Sequence, residues 1–211
     1  MEYETEEQQV EALKEWWNEN GRAVIAGVVL GVVIIGGWTL WQGSREKAAV
    51  AASDAYSEAM AAVASGDGAR VNELADRLAE DHDGTLYASL ASLAAARVAV
   101  EANDLDAAAS RLAWAEEHAP QDDVKLIARV RLARVEGSTG EAASGLERLP
   151  TSYPAEFTGL VEEARGDLLA ASGDADGARA AYEKARDSGN VADPNALGMK
   201  LDDLAVAASA S

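Results

Sequence analysis

Hydrophobic and polar positions divide the chain into two parts. Residues 23–41 form an unbroken apolar run of nineteen residues without a charged side chain. Beyond residue 42, apolar residues recur at helical spacing and are interrupted by short polar breaks. The pattern predicts one long apolar helix near the N-terminus, followed by a series of amphipathic helices.

The apolar run has the length of a membrane span. At a rise of about 1.5 Å per residue it extends roughly 28 Å, which is close to the thickness of the hydrocarbon core of a bilayer. Tryptophans flank it on both sides, as is typical of membrane interfaces. We therefore predict a short leader at 1–22 and a transmembrane helix at 23–41. The flanking tryptophans are Trp16, Trp17, Trp38 and Trp41.

A cleaved signal peptide and a buried core helix are weaker interpretations of the run. A signal peptide needs a basic leader, but this leader holds seven glutamates against Lys14 and Arg22. A core helix has no reason to carry tryptophans at both ends. The orientation stays open, because Lys14 and Arg22 before the run are balanced by Arg45 and Lys47 after it.

Three small residues of the run, Ala23, Gly27 and Gly31, are four positions apart and share one helix face. This spacing lets a second transmembrane helix approach closely, so we expect a partner-helix face here. The alternative is that glycine is simply common in such spans.

The remaining chain predicts helical hairpins. A break at Gly66-Asp67-Gly68 indicates a juxtamembrane helix and a degenerate first hairpin over 42–83. Repeats follow over 84–193, and a capping helix over 194–211. The first helices of these repeats are expected near 85–102, 122–136 and 156–172. In the next helices, Asp104 and Asp174 are predicted N-caps.

The hairpins have a period near 34 residues, since Asn103 and Gly137 are 34 apart and Gly137 and Gly173 are 36 apart. This period suggests tetratricopeptide repeats. The expected register in each second helix is a small residue, a large apolar residue, a second small residue and a terminating proline. The assigned positions are Ala108, Leu112, Ala115 and Pro120; Ala142, Leu146, Leu149 and Pro154; and Ala178, Tyr182, Ala185 and Asn190. The predicted fold class is all-α: a single N-terminal transmembrane helix followed by a tetratricopeptide-like hairpin solenoid.

Composition narrows the possible functions. With 37 acidic residues against 18 Lys and Arg, the net charge of -19 repels phosphate backbones, so nucleic acid is not an expected partner. Cysteine is absent, so the chain has no disulfide, thiolate ligand or nucleophilic thiol.

Candidate chemical motifs are weak, and we predict no catalytic, metal or cofactor site. Ser44 and Lys47 have the serine-x-x-lysine spacing of a hydrolase, but no companion motif follows. His82 and His118, 36 residues apart at predicted helix ends, are better explained as parts of solvated acidic faces than as metal ligands. Asp174 resembles the start of a calcium loop, but helix capping explains it.

Arginines recur on the first helices at steps of 34 residues, at Arg97, Arg131 and Arg165. First helices line the concave face of tetratricopeptide arrays, so these side chains are candidates for binding a protein client. The alternative is that each arginine pairs with an acidic neighbour, such as Glu101 or Glu162. The predicted concave face comprises Leu93, Arg97, Val100, Ile127, Arg131, Arg134 and Arg165.

Short segments in a fixed order make the chain resemble the YfgM family, ancillary subunits of the bacterial SecYEG translocon. The segments are Gln9-Val10-Glu11-Ala12, Asn18-Glu19-Asn20-Gly21, Leu90-Ala91-Ser92-Leu93, Arg131-Leu132-Ala133-Arg134-Val135, Arg165-Gly166-Asp167, Gly173-Asp174, Gly177-Ala178-Arg179 and Met199-Lys200-Leu201.

The resemblance implies a single-pass protein of the bacterial inner membrane, with a cytoplasmic N-terminus and a periplasmic C-terminal repeat domain. It also implies association with SecYEG and with a membrane-anchored periplasmic prolyl isomerase, in a chaperone relay for unfolded exported proteins. Three other functions compete with this one. They are a scaffold that joins two membrane proteins without binding clients, a membrane-held hydrolase using Ser44 and Lys47, and an adaptor that faces the cytoplasm.

Overall fold

The structure, a computed structural model, describes the backbone of residues 6–209 and the side chains of residues 9–11, 13–39, 42 and 47–205. Within 6–209 the chain forms α-helices and one 3-10 helix, and no strand. The predicted all-α fold is therefore confirmed. The helices are α1 (Glu6–Ser65), α2 (Gly68–Asp81), α3 (Leu86–Glu101), α4 (Leu105–His118), α5 (Asp122–Ser138), α6 (Ala142–Arg148), α7 (Thr158–Ala171), α8 (Ala175–Asp187) and α9 (Pro194–Ser209), with the 3-10 helix Ala155–Phe157 before α7.

The chain divides into two compact units, Met1–Val50 and Ala51–Ser211. Helix α1 contributes residues to both of them. The first unit contains one stretch, Gln9–Thr39, that is long and apolar enough to cross a membrane, with a mean hydropathy of 1.9. Its large apolar side chains are well exposed, as Val32 (66 %) and Ile35 (65 %) illustrate, so they are not packed in a protein core.

The helix does not end at either predicted boundary of the span. It continues through residues 22 and 41, so the limits of the span are limits of hydropathy and not of secondary structure. Within this helix Asn20 donates from Nδ2 to the Trp16 carbonyl at 3.1 Å. The ring of Trp17 covers Gly21, where an added Cβ would stand 3.3 Å from Nε1. The side chain of Trp41 lies outside the described residues.

In the second unit, helices pack as successive hairpins. The last turns of α1 share a core with α2 and α3, α3 packs on α4, α5 on α6, and α7 on α8. Neighbouring hairpins join through α2 with α3, α4 with α5, and α5 with α7. Small residues fill much of this core, and Ala75, Ala95, Ala128 and Ala164 are completely buried. Alanine at these positions lets helix axes approach closely, which the hairpin array requires.

Three of the polar breaks between helices share one geometry. A residue with positive φ comes first, and the aspartate after it caps the next helix. Asp104 accepts from the Ala107 N–H at 3.1 Å and Asp174 from the Gly177 N–H at 2.9 Å, which confirms both predicted caps. The positive φ angles are 74° at Gly66, 59° at Asn103 and 86° at Gly173.

The register predicted for the middle hairpin is wrong. Helix α6 has only 7 residues, and it ends before Pro150 and not before Pro154. Leu149 is extended, with ψ 133°, because the residue before a proline avoids the helical region. The first small residue of the register is the fourth residue of its helix, as Ala108 is in α4. In α6 the fourth residue is Gly145, which therefore takes the position predicted for Ala142. A Cβ at Gly145 would stand 2.5 Å from the Ala133 carbonyl oxygen, so the close approach of α5 and α6 depends on this glycine.

Helix α9 packs against the last hairpin. Leu197 is 1 % exposed in a core cluster with Tyr182, and Leu201 and Leu204 pack against the same cluster. Its Lys200 Nζ donates to Glu163 at 2.8 Å and to Asp167 at 2.7 Å on α7. Apolar and ionic contacts therefore both hold the final helix.

Candidate functional site

A cavity of about 280 Å³ opens between α3, α4 and α5. Most of its lining is apolar, and three arginines stand among the lining residues. Leu93 and Leu112 are almost fully buried in its wall, whereas Val100 is 45 % exposed. The lining residues are Leu93, Ala96, Arg97, Val100, Leu105, Leu112, Arg131, Arg134, Val135 and Ser138.

Two helical stripes form opposite sides of this cavity. Each stripe has the spacing i, i+3, i+4, i+7, which places its members on one helix face. The α3 stripe is Leu93, Ala96, Arg97 and Val100, and the α5 stripe is Arg131, Arg134, Val135 and Ser138.

Arg97 has an acidic partner on its own helix. Its Nε donates to the Glu101 carboxylate at 2.7 Å, and both side chains are largely exposed. Such an exposed pair contributes little to stability, so Arg97 can exchange this partner for a ligand at low cost.

Arg134 faces two carboxylates of the next hairpin. Its Nε lies 3.2 Å from Asp167 and its Nη2 lies 3.6 Å from Glu163. These distances are those of ion pairs, yet both nitrogens are buried and neither makes a hydrogen bond with any group in the described part of the chain. Lys200 hydrogen-bonds the same two carboxylates, at 2.8 Å from Glu163 and 2.7 Å from Asp167, so the two cations share them.

Arg131 differs from the other two arginines. Its side chain is exposed, and no hydrogen bond or ion pair joins that side chain to another of the described residues. Surrounding protein removes enough water to lower the pKa of Arg131, and the charges of Arg134 and Arg97 lower this pKa further. A guanidinium still remains protonated at neutral pH. The cavity therefore carries a positive charge without a carboxylate to balance it.

Two residues of the predicted concave face lie away from this cavity. Arg165 pairs with Glu162 at 3.3 Å and donates from Nη2 to the Pro150 carbonyl at 3.1 Å. The alternative interpretation, pairing with an acidic neighbour, therefore describes Arg165 and Arg97 but not Arg131. Ile127 lies one turn before the α5 stripe and packs against the core of α3, α4 and α5.

Sequence reasoning missed half of the lining residues. Val135 and Ser138 were open to prediction, because they continue the helical spacing that starts at Arg131. Leu105 and Leu112 of α4 were not, since the predicted register assigns Leu112 to the gap inside the hairpin and Leu105 lies outside that register. The remaining one is Ala96.

The proposed helix-partner face lies in the first unit. Ala23 and Gly27 are exposed, and a Cβ built at Gly27 or Gly31 would meet no heavy atom within 4 Å. The face thus has room for another helix.

The weak chemical candidates gain no support from geometry. Among the described residues, no group of three or more His, Asp and Glu side chains is arranged to hold a metal ion. His118 stacks on Trp114 with ring centroids 4.5 Å apart, and its Nδ1 lies 2.9 Å from the Trp114 carbonyl. The side chain of Ser44 lies outside the described residues.

Successive helical hairpins with a packed terminal helix define a tetratricopeptide-like repeat protein. The family profile described as "Tetratricopeptide repeat-like domain" matches residues 14–206. The chain belongs to this family, and its curated relatives confirm the assignment to the YfgM group that the sequence resembles.

Two of these relatives cover almost the whole chain. A protein of Escherichia coli K12 is 36 % identical over 181 residues, which is 86 % of this chain and 87 % of the relative. A protein of Haemophilus influenzae is 29 % identical over 199 residues, covering 94 % of this chain and 97 % of the relative. Both are named "Ancillary SecYEG translocon subunit". No solved structure matches the chain.

Proposed function

We propose that this protein is a non-catalytic, membrane-anchored, protein-binding subunit associated with the Sec translocon, and that it assists the passage or folding of exported proteins together with periplasmic chaperones. The observation that carries the proposal is the open cavity between α3, α4 and α5, which combines apolar walls with an arginine that has no partner among the described residues. The names of the relatives support the association with SecYEG.

In this proposal α1 anchors the chain in the bacterial inner membrane, with the N-terminus in the cytoplasm and the repeat domain in the periplasm. Exposed apolar side chains along Gln9–Thr39 support the anchor. Anchoring raises the effective concentration of the repeat domain near emerging chains, so weak contacts become sufficient for binding. A membrane-anchored periplasmic prolyl isomerase is the proposed second partner.

Site-specific photocrosslinking in living cells tests the proposal. We expect a probe at Gly27 to capture a translocon subunit and a probe at Arg131 to capture newly exported chains. Probes at Gly36 and Arg77 are matched controls, because Gly36 lies on the opposite helix face and Arg77 lies outside the cavity. Equal capture by the controls and the test positions would refute the assignment.

Protease protection tests the proposed orientation of the chain in the membrane. In spheroplasts, external protease should degrade the repeat domain and leave the leader protected. A repeat domain that survives this treatment would place it in the cytoplasm.

A scaffold that joins the translocon to the isomerase without binding clients is the second candidate function. The volume of the cavity is compatible with it, since about 280 Å³ accommodates a single side chain of a fixed partner as well as one of a client. Full-length protein in nanodiscs should delay the aggregation of an unfolded outer-membrane protein if it binds clients. Capture of the isomerase with no delay of aggregation would favour the scaffold.

A further inference from the structure

We infer that the cavity between α3, α4 and α5 recognises a peptide segment in which an Asp or Glu side chain stands beside a bulky apolar side chain. The apolar side chain enters the cavity, and the carboxylate binds Arg131. The inference rests on the proposed function, because it names the chemical class of client or partner segment that the site accepts.

The shape of the cavity supports the apolar half of this specificity. Ligand pockets for drug-sized molecules occupy about 300 to 1,000 Å³, so a cavity of about 280 Å³ is suited to one bulky side chain and its adjoining backbone. Leu93, Ala96, Leu112 and Val135 form its buried wall and offer no polar group. A charged side chain placed at that depth would lose its hydration without gaining a partner.

The charges around the cavity support the anionic half. Three arginines line the cavity, and Lys200 on α9 contacts the two carboxylates that face one of them, Arg134. Three carboxylates pair with these four cations: Glu101 with Arg97, and Glu163 and Asp167 with both Arg134 and Lys200. One positive charge is left over, and it lies at Arg131, which has no partner among the described residues. In a chain with a net charge of -19, this is a local site of opposite sign.

The mutual repulsion of the arginines adds to this preference. Arg97 and Arg134 both act on the Arg131 guanidinium as like charges. A carboxylate placed among them relieves this repulsion while it pairs with Arg131, and a guanidinium can hold a carboxylate through two parallel hydrogen bonds. An uncharged polar side chain relieves none of the repulsion.

Full-length protein in nanodiscs, titrated with fluorescent peptides, tests the inference. The probe is an acetylated and amidated peptide with one Glu-Phe pair in a Gly-Ser background, and its comparison peptide carries Gln-Phe. We expect the wild-type protein to prefer the Glu peptide by about tenfold or more, as expected for a charge-assisted hydrogen bond. Equal affinity for the two peptides would overturn the inference.

Variants locate the effect. Arg131→Gln should reduce the preference for Glu over Gln to near unity. Arg77→Gln removes one positive charge outside the cavity and should leave the preference unchanged. Val100→Ser, on the exposed part of the lining, should weaken the binding of both peptides equally. An unchanged preference in Arg131→Gln would overturn the role of Arg131.

A third peptide distinguishes recognition of a side-chain carboxylate from recognition of a C-terminal carboxylate. It has no acidic side chain and ends in Phe with a free α-carboxylate. Binding of this peptide alone, dependent on Arg131, would replace the inference with recognition of C-termini. Failure of this inference is distinguishable from failure of the proposed function. If Arg131→Gln protein still delays client aggregation, only the role of the cavity in recognition is refuted, and client binding stands.

Discussion

The ring of Tyr182 on α8 lies directly against Gly166 on α7, so closely that an added methyl group at Gly166 would overlap ring atoms Cε1 and Cδ1. Tyr182 is 3 % exposed, and its hydroxyl donates to Asp167 at 2.9 Å. Burial raises the pKa of Tyr182, and the neighbouring Asp167 carboxylate raises it further. The tyrosine thus fills the gap of its hairpin and keeps its proton, and Gly166 provides the space.

Gly166→Ala should destabilise the repeat domain by about 1 to 3 kcal/mol, because Tyr182 is held by Asp167 and cannot move aside without losing that hydrogen bond. Thermal and urea unfolding, followed by circular dichroism in detergent, measure the effect. Gly198→Ala on α9 is the matched control, since its Cβ would meet no heavy atom within 4 Å. A helical alanine there should be neutral or stabilising. Equal effects of the two substitutions would contradict the packing argument.

Lys200→Gln should loosen α9 from the last hairpin. Lys200 hydrogen-bonds Glu163 and Asp167, and it lies 5.6 Å from the centre of the Tyr182 ring. Since Lys200 is 34 % exposed, solvent screening limits the expected loss to about 1 kcal/mol. Amide hydrogen exchange should accelerate in α9 more than in α3. Lys125→Gln, whose lysine has no partner among the described residues, should change neither helix.

Stability should depend on pH through Glu162. Burial alone would raise the pKa of Glu162, but hydrogen bonds from Tyr153 and Lys184 and the charge of Arg165 outweigh it and lower the pKa. A carboxyl group whose pKa is lower in the folded state stabilises the fold above its unfolded pKa. This contribution is lost as the pH falls through the folded pKa.

Glu162→Gln should therefore cost about 1 to 2 kcal/mol at pH 7, and the difference from wild type should shrink on acidification. Urea unfolding between pH 7 and pH 3 measures this difference. Glu183→Gln is the control, because Glu183 is exposed and has no partner within the described part of the chain. A difference that stays constant over the whole pH range would contradict the role of the Glu162 charge.

Local signals in the sequence were sufficient for the general fold. Asp104 and Asp174 act within three residues of themselves, so their capping role could be read directly from the chain. The middle hairpin could not, because Pro150 and Pro154 both have the chemistry to end a helix. Packing decides between them: Gly145 allows α6 to lie against the Ala133 carbonyl, and only the earlier proline agrees with that register.

The candidate site shows a similar division. Arg97 on α3 and Arg131 on α5 line the same cavity, because a 34-residue step returns to an equivalent position of the next hairpin. Which arginine would remain unpaired was not predictable, since the carboxylates facing Arg134 come from Glu163 and Asp167 on α7. Such partners, about thirty residues away, depend on how the two hairpins pack.

The partner-helix face of α1 gives the last prediction. Gly27→Ile should weaken copurification of the translocon in mild detergent, because a branched side chain keeps a neighbouring helix backbone at a distance. Association energies of about 1 to 2 kcal/mol correspond to a loss of roughly tenfold. Gly36→Ile adds the same side chain to the opposite face of the helix, where an added Cβ also meets nothing within 4 Å. It should therefore copurify like the wild type, and both variants should insert equally well, since isoleucine favours the membrane. Equal losses for Gly27→Ile and Gly36→Ile would show that the helix has no preferred face, and the face formed by Ala23, Gly27 and Gly31 would have to be abandoned.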